Sequence, residues 1–346
     1  MDKRLIHAVA GAGKTTAILN DLQPDRRSLV LTYTNQNLFS LETGIRSRFD
    51  GVVPATIELR TYFSFLYSYC LRPYVSHGLR DHGLVYGPVP KSAQRISKKE
   101  LRHFMSSNRY LYGARAGKLV LETNVLRKVK DSLYKHFDRI YVDEVQDFAS
   151  NDFNLLLELA NSGVSMLCVG DFFQHTFDTS RDGNTRVNLH RKGQEAYLDE
   201  FRKAKFSVDI KTLSRSRRCS SSVCSFITGK LGVDIGSART DLTEVQFLDH
   251  VEDIERVYHD PKIVKLFLQE HSLYNCYSNN WGNSKGLDNY VDVCVVLSKN
   301  IMMQLKAGGA NKLKPMTKNK LYVACSRARG NLYFVDQKQL KKLRGV

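Results

Sequence analysis

The chain has 346 residues, of which 42% are hydrophobic, and it sets 52 Lys plus Arg against 35 Asp plus Glu for a formal charge of +17. That composition excludes a chain disordered as a whole, and the length allows one large domain or two of ordinary size. No apolar run is long enough to span a bilayer, and the seven scattered cysteines form no CxxC pair that would imply a zinc site or a disulfide framework.

Buried strands are predicted at 5–10, 29–32, 140–142 and 166–169, and helices at 15–22, 37–49 and 152–161. Strand and helix in alternation imply a parallel sheet covered on both faces. The N-terminus passes into a glycine-rich turn without the apolar stretch of a signal peptide, and together with unpaired cysteines this fits a reducing cytoplasm. The segment 73–130 differs from the rest. It carries Gly78, Gly83, Gly87, Pro88, Pro90, Gly113 and Gly117, many lysines and arginines, and the aromatics Phe104, Tyr110 and Tyr112. It reads as a small basic insertion with helices at 98–108 and 125–137, equally open to a solvated surface and to a nucleic-acid contact. A second series follows, with strands at 208–213, 245–248, 291–297 and 332–335 and helices at 221–231, 262–270 and 320–327. The expected division is 1–211 and 212–346, two α/β lobes.

Three stretches carry chemistry. In the first, a strand runs through Ala8-Val9-Ala10 into Gly11-Ala12-Gly13-Lys14-Thr15-Thr16 and opens a helix. Glycines let backbone N–H groups approach a phosphate, and the helix N-terminus adds positive potential. Lys14 would reach the β- and γ-phosphates and Thr15 would hold magnesium. Ala8 stands where the strict pattern has glycine. In the second, the apolar strand before Asp143-Glu144 ends in adjacent carboxylates, one suited to a metal (Asp143) and one to activating water (Glu144). In the third, Gly170-Asp171-Phe172-Phe173-Gln174 again puts polar groups at a strand end, where Gln174 could sense a γ-phosphate.

Taken together, these stretches resemble superfamily 1 helicases of the UvrD/Rep type, with motifs in family order over most of the chain. Ala10 to Thr15 is similar to motif I. Leu31-Thr32-Tyr33-Thr34-Asn35 is similar to motif Ia and Thr61-Tyr62-Phe63-Ser64 to the next DNA-contacting motif, although Phe63 replaces a usual histidine. Asp143-Glu144-Val145-Gln146-Asp147 resembles the DExQD box and Gly170 to Gln174 the GDxxQ box. Arg218 takes the place of the phosphate-contacting arginine of motif IV. Asn283 to Asp288 resembles the SKGLE motif, with Asp288 for glutamate, and Leu321 to Arg329 resembles motif VI, making Arg327 a second arginine finger. The resemblance implies two RecA-like P-loop NTPase lobes with parallel sheets and ATP in the cleft between them. It implies catalytic roles for Lys14, Asp143, Glu144, Gln174, Arg218 and Arg327. It implies ATP contacts from Gly11, Ala12, Gly13, Lys14, Thr15, Thr16, Gly286 and Asp288, and Mg2+ on Thr15 and Asp143. Thr32, Tyr33, Thr34, Asn35, Thr61, Tyr62, Phe63 and Phe177 would meet the nucleic acid.

The departures from the family are specific. Too few residues precede Ala8 for the family's adenine-reading glutamine, which bears on the preference for ATP. After Gln174 only Phe177 of the usual aromatics remains. Accessory insertions are short or missing. The implied activity is ATP-driven translocation on, or unwinding of, single-stranded or tailed DNA, with 3′-to-5′ polarity suggested by the family and no membrane role. An alternative is an ATPase subunit that senses nucleic acid and gates an effector such as a nuclease, as in anti-phage systems. A viral RNA helicase is a third reading, opposed by the DExQD and SKGL motifs.

Overall fold

The computed structural model describes residues 2–180, 182, 184–310 and 312–343. The architecture is mixed α/β with two principal parallel sheets. The first uses β1 (Lys3–Ala8), β2 (Ser28–Thr32), β3 (Ile57–Thr61), β4 (Arg139–Val142), β5 (Ser165–Gly170) and β6 (Ser207–Leu213) in the order β3-β2-β4-β5-β1-β6. Parallel pairing runs from β3 through β2 and β4 to β5. β2 is buried at every position, as expected of a strand covered on both faces. The second sheet uses β7 (Val245–Phe247), β8 (Val264–Phe267), β9 (Ser278–Asn280), β10 (Val293–Leu297) and β11 (Leu332–Asp336) in the order β7-β11-β10-β8-β9, again with parallel pairing. All seven cysteines are free thiols.

The chain forms two compact units. One comprises Met1–Ile6, Lys14–Gly170 and Phe177–Asp209; the other comprises His7–Gly13, Asp171–Thr176 and Ile210–Val346.

Two predicted helices are absent. The stretch 262–270 is a strand, β8, and the helix lies earlier, at Val251–His259. In that helix Ile254, Val257 and Tyr258 recur at helical spacing and are buried, and Pro261 stops any continuation. Val264, Lys265, Leu266 and Phe267 are all buried, which is what a central strand gives and a one-sided helix does not. Lys265 is accommodated because its ammonium donates to the carbonyls of Asp260 and Ile263 at 2.7 and 2.9 Å. The stretch 98–108 holds only a single 3-10 turn, Leu101–His103. The regular helix of the insertion is Gly113–Glu122, whose two glycines hid it from a propensity reading. Gly117 has a packing reason: a Cβ there would lie 2.4 Å from Asp152 Oδ1. The second predicted helix of the insertion is present as Val125–His136.

Candidate functional site

The glycine-rich turn follows β1 directly. Ala8 is the last residue of that strand and fully buried, so this position needs extended backbone and no glycine freedom. Gly11 and Gly13 do need it, with φ of +71° and +96°. The helix Lys14–Asp21 then begins at Lys14, with Thr15 half-buried and Thr16 exposed.

In the first unit, Lys14 Nζ lies 3.7 Å from Glu144 Oε1, and both side chains are about nine-tenths buried. The Gln146 amide donates to the other oxygen of Glu144. Asp143 Oδ1 accepts the Glu144 N–H at 3.0 Å. Asp143, Glu144, Gln146 and Asp147 are all buried. Glu144 has φ +52°, a left-handed conformation that is uncommon outside glycine and concentrates at functional sites. The sharp turn ends β4 and starts the 3-10 turn Val145–Asp147. Gly170 makes room for this cluster, since a Cβ there would stand 2.5 Å from Gln146 Oε1 and 2.8 Å from Val145 Cγ1. Gln146 was legible as the glutamine of the DExQD box, yet only the fold shows it gripping Glu144.

In the second unit, two guanidinium groups converge on one carboxylate. Arg218 bonds to Asp288 Oδ1, and Arg327 Nη1 lies 3.6 Å from the same oxygen. Arg327 Nη1 donates to the Leu287 carbonyl at 2.9 Å, and Arg218 Nη1 to the Ser326 carbonyl at 3.2 Å. Arg327 is 3% exposed. Gly286, with φ +82°, supplies the turn into Asp288. Arg218 also borders the glycine turn: a Cβ on Gly11 would lie 2.6 Å from Arg218 Cβ, and Arg217 N–H donates to the Gly11 carbonyl at 2.9 Å. The buried Cys219 thiol beside it is pulled below its ordinary range by the Cys224 side chain and, against burial, by the charges of Arg218 and Arg327.

Sequence reasoning did not single out Tyr322. Its hydroxyl accepts the Ala10 N–H at 2.8 Å and donates to Asp171 Oδ2 at 2.9 Å. Burial first, and then Asp171, hold this phenol well above its ordinary pKa, so it stays a neutral donor. One ring therefore ties the glycine turn to the Asp171–Gln174 segment, where Asp171 also caps the turn by accepting Phe173 N–H at 3.1 Å. Gln174 is buried in this segment.

The residues expected to meet nucleic acid divide into two sets. Thr32 and Tyr62 are buried, Tyr62 packing edge-on against Phe148 with centroids 4.7 Å apart. Thr34 and Thr61 cap helices, accepting Asn37 N–H at 3.1 Å and Ser64 N–H at 3.3 Å. Asn35 is exposed. Tyr33, Phe63 and Phe177 form a half-buried ring cluster, with Tyr33 5.6 Å from Phe63 and 5.1 Å from Phe177. Burial, reinforced by Asp152 and Asp147, pushes the Tyr33 phenol up to about 12. Strand order explains the grouping: β3 and β2 are neighbours, and their carboxyl ends release Tyr62-Phe63 and Tyr33, while the next strand, β4, releases Asp143 and Glu144.

No protein-family model and no curated protein matches the chain. Solved structures do match. The PRRSV helicase aligns with 98% of this chain at 15% identity and TM-score 0.47. Arterivirus nonstructural protein 10, a helicase, aligns with 99% at 16% identity and TM-score 0.49 in its complex with DNA, and with 99% at 15% identity and TM-score 0.49 in another crystal structure. The chain spans 53%, 63% and 62% of those proteins, respectively. Among the described residues no helix is long and apolar enough to cross a membrane.

Proposed function

We propose that the chain is a nucleoside-triphosphate-driven motor of the superfamily 1, UvrD/Rep-like kind, using ATP to move along or open single-stranded or tailed DNA. The observation that carries this reading is the buried Lys14–Glu144–Gln146 cluster directly after a two-glycine turn. An ammonium and a glutamate held together behind a phosphate-type turn suit phosphoryl transfer to water, in which the protein positions reactants and balances charge.

In this reading the N–H groups of Gly11, Ala12 and Gly13 and the Lys14 ammonium bind the β- and γ-phosphates. The hydroxyl of Thr15 and the carboxylate of Asp143 are hard oxygen donors that suit Mg2+. When bound there, the ion neutralises phosphate charge. Glu144, oriented by Gln146, accepts a proton from the attacking water. Arg218 and Arg327 offset the charge that grows on the transferred phosphoryl group. Their shared contact with Asp288 supports this role, because it keeps two desolvated guanidiniums beside an anion site that triphosphate oxygens can compete for. Gln174 senses the γ-phosphate. Tyr33, Phe63 and Phe177 offer ring faces to bases, and lysines and arginines bind the backbone.

Steady-state hydrolysis of ATP and GTP with single-stranded DNA, single-stranded RNA and duplex tests the substrate assignment. Single-stranded DNA is expected to raise ATP turnover most. Stimulation by RNA alone would reject the DNA assignment. Unwinding of a tailed duplex by the purified chain distinguishes a helicase from a translocase.

A further inference from the structure

The insertion contains a cavity of about 630 Å³, within the size range of small-ligand pockets. Tyr86, Tyr110 and Tyr112 line it, with Leu101, Arg102 and Asn108. Its floor belongs to a small apolar cluster in which Val89, Ala93 and Tyr112 are buried. Its lip is different: Tyr86 is 66% exposed, Tyr110 40% and Leu101 42%. A grouping of exposed rings on a folded surface marks an interaction site rather than ordinary scatter.

Two further observations say what such a site takes. The first is charge. Between 73 and 130 the chain has twelve Lys or Arg against three Asp or Glu, so nine of its seventeen net positive charges sit in this one insertion. Among the described lining residues the only charged one is Arg102, which also pairs with the neighbouring Glu100 at 2.7 Å. The second is continuity. Phe177, Tyr33, Phe63 and Tyr86 form an unbroken row of ring contacts at 5.1, 5.6 and 5.2 Å. All of these residues lie in the first unit.

We infer that this pocket receives an unpaired nucleobase of the same single strand that crosses Tyr33 and Phe63, with Tyr86 and Tyr110 as stacking faces and Arg102 on an adjacent phosphate. The inference rests on the nucleic-acid reading above and extends its path onto the insertion. Ring faces without a carboxylate, in a strongly basic segment, fit a base and its phosphate better than an apolar or basic peptide.

The test is binding of the full chain to labelled single strands of increasing length, in DNA and RNA series, followed by fluorescence anisotropy. Wild type should gain affinity once a strand is long enough to reach from the Tyr33 cluster to the pocket. The double variant Tyr86→Ala, Tyr110→Ala should lose that long-strand gain, about ten-fold. Because losing two rings could disturb the insertion, Arg102→Gln gives an independent reading. It should lower the salt dependence of binding by about 0.7 in log–log slope for long strands only. If wild type binds single strands but both variants follow it at every length, the pocket assignment is overturned and the nucleic-acid reading stands. Equal losses at every length for the double variant, with the Arg102→Gln slope unchanged, also overturn it. If wild type binds no single strand, both fall.

Discussion

Arg218 and Arg327 meet on the carboxylate of Asp288, and Tyr322 bridges Ala10 and Asp171. If Arg327 balances transition-state charge, Arg327→Ala should cut turnover by about 1000-fold while nucleotide affinity, measured by a fluorescent analogue, changes little. Parallel loss of affinity and turnover would make Arg327 a binding or structural residue instead. Tyr322 makes a different prediction. Tyr322→Phe keeps the buried ring but removes the hydroxyl that accepts from Ala10 and donates to Asp171. It should cost about 1–3 kcal/mol in urea unfolding, since a buried backbone donor loses that acceptor. An unchanged midpoint and slope would show that the bridge contributes nothing. Neither the Tyr322 bridge nor the grip of Gln146 on Glu144 could be read from motif letters, because both pair residues whose separation in sequence or local geometry only the fold defines. Lys14, Asp143 and Glu144 were legible because glycine turns and strand-end carboxylates are local patterns.

At the scale of elements, the first turn of the helix Ser150–Leu159 holds a buried acid, Asp152. Burial raises its pKa from 3.8 to about 6, and the hydroxyls of Tyr62, Thr179 and Ser180 oppose part of that rise. The folded state therefore binds a proton more tightly than the unfolded state. Stability should fall as pH rises from about 4 through about 6, by roughly 3 kcal/mol from this group at neutral pH. Asp152→Asn should flatten that part of the profile in denaturant titrations at pH 4.5 and 7. An identical pH dependence in the variant would contradict the assignment. The strands β2, β4, β5, β10 and β11 were legible because continuous apolar runs leave few alternatives for a buried parallel strand. The stretch 262–270 was not, since a short apolar run has no period that separates strand from helix. The helix Gly113–Glu122 was hidden because it carries two glycines, one of which, Gly117, serves packing against Asp152, a contact far away in sequence.

At the scale of the whole molecule, the net charge of +17 is unevenly spent, with more than half of it in the insertion. Two compact α/β units with parallel sheets carry the phosphate-type turn, the carboxylates and the arginines. The fold class was readable from alternating apolar runs and helix-length segments. The aromatic row and its pocket were not, because Tyr33, Phe63, Tyr86 and Phe177 come from four separate stretches of chain. In the proposed cycle Glu144 activates water, and a single strand stimulates the hydrolysis. The direct measurement compares wild type with Glu144→Gln for ATP hydrolysis with and without single-stranded DNA, alongside nucleotide affinity. Wild type should hydrolyse ATP and accelerate with the strand, and the variant should lose turnover by at least about 100-fold while still binding nucleotide. Undetectable hydrolysis by wild type under both conditions, or a variant as active as wild type, would contradict it.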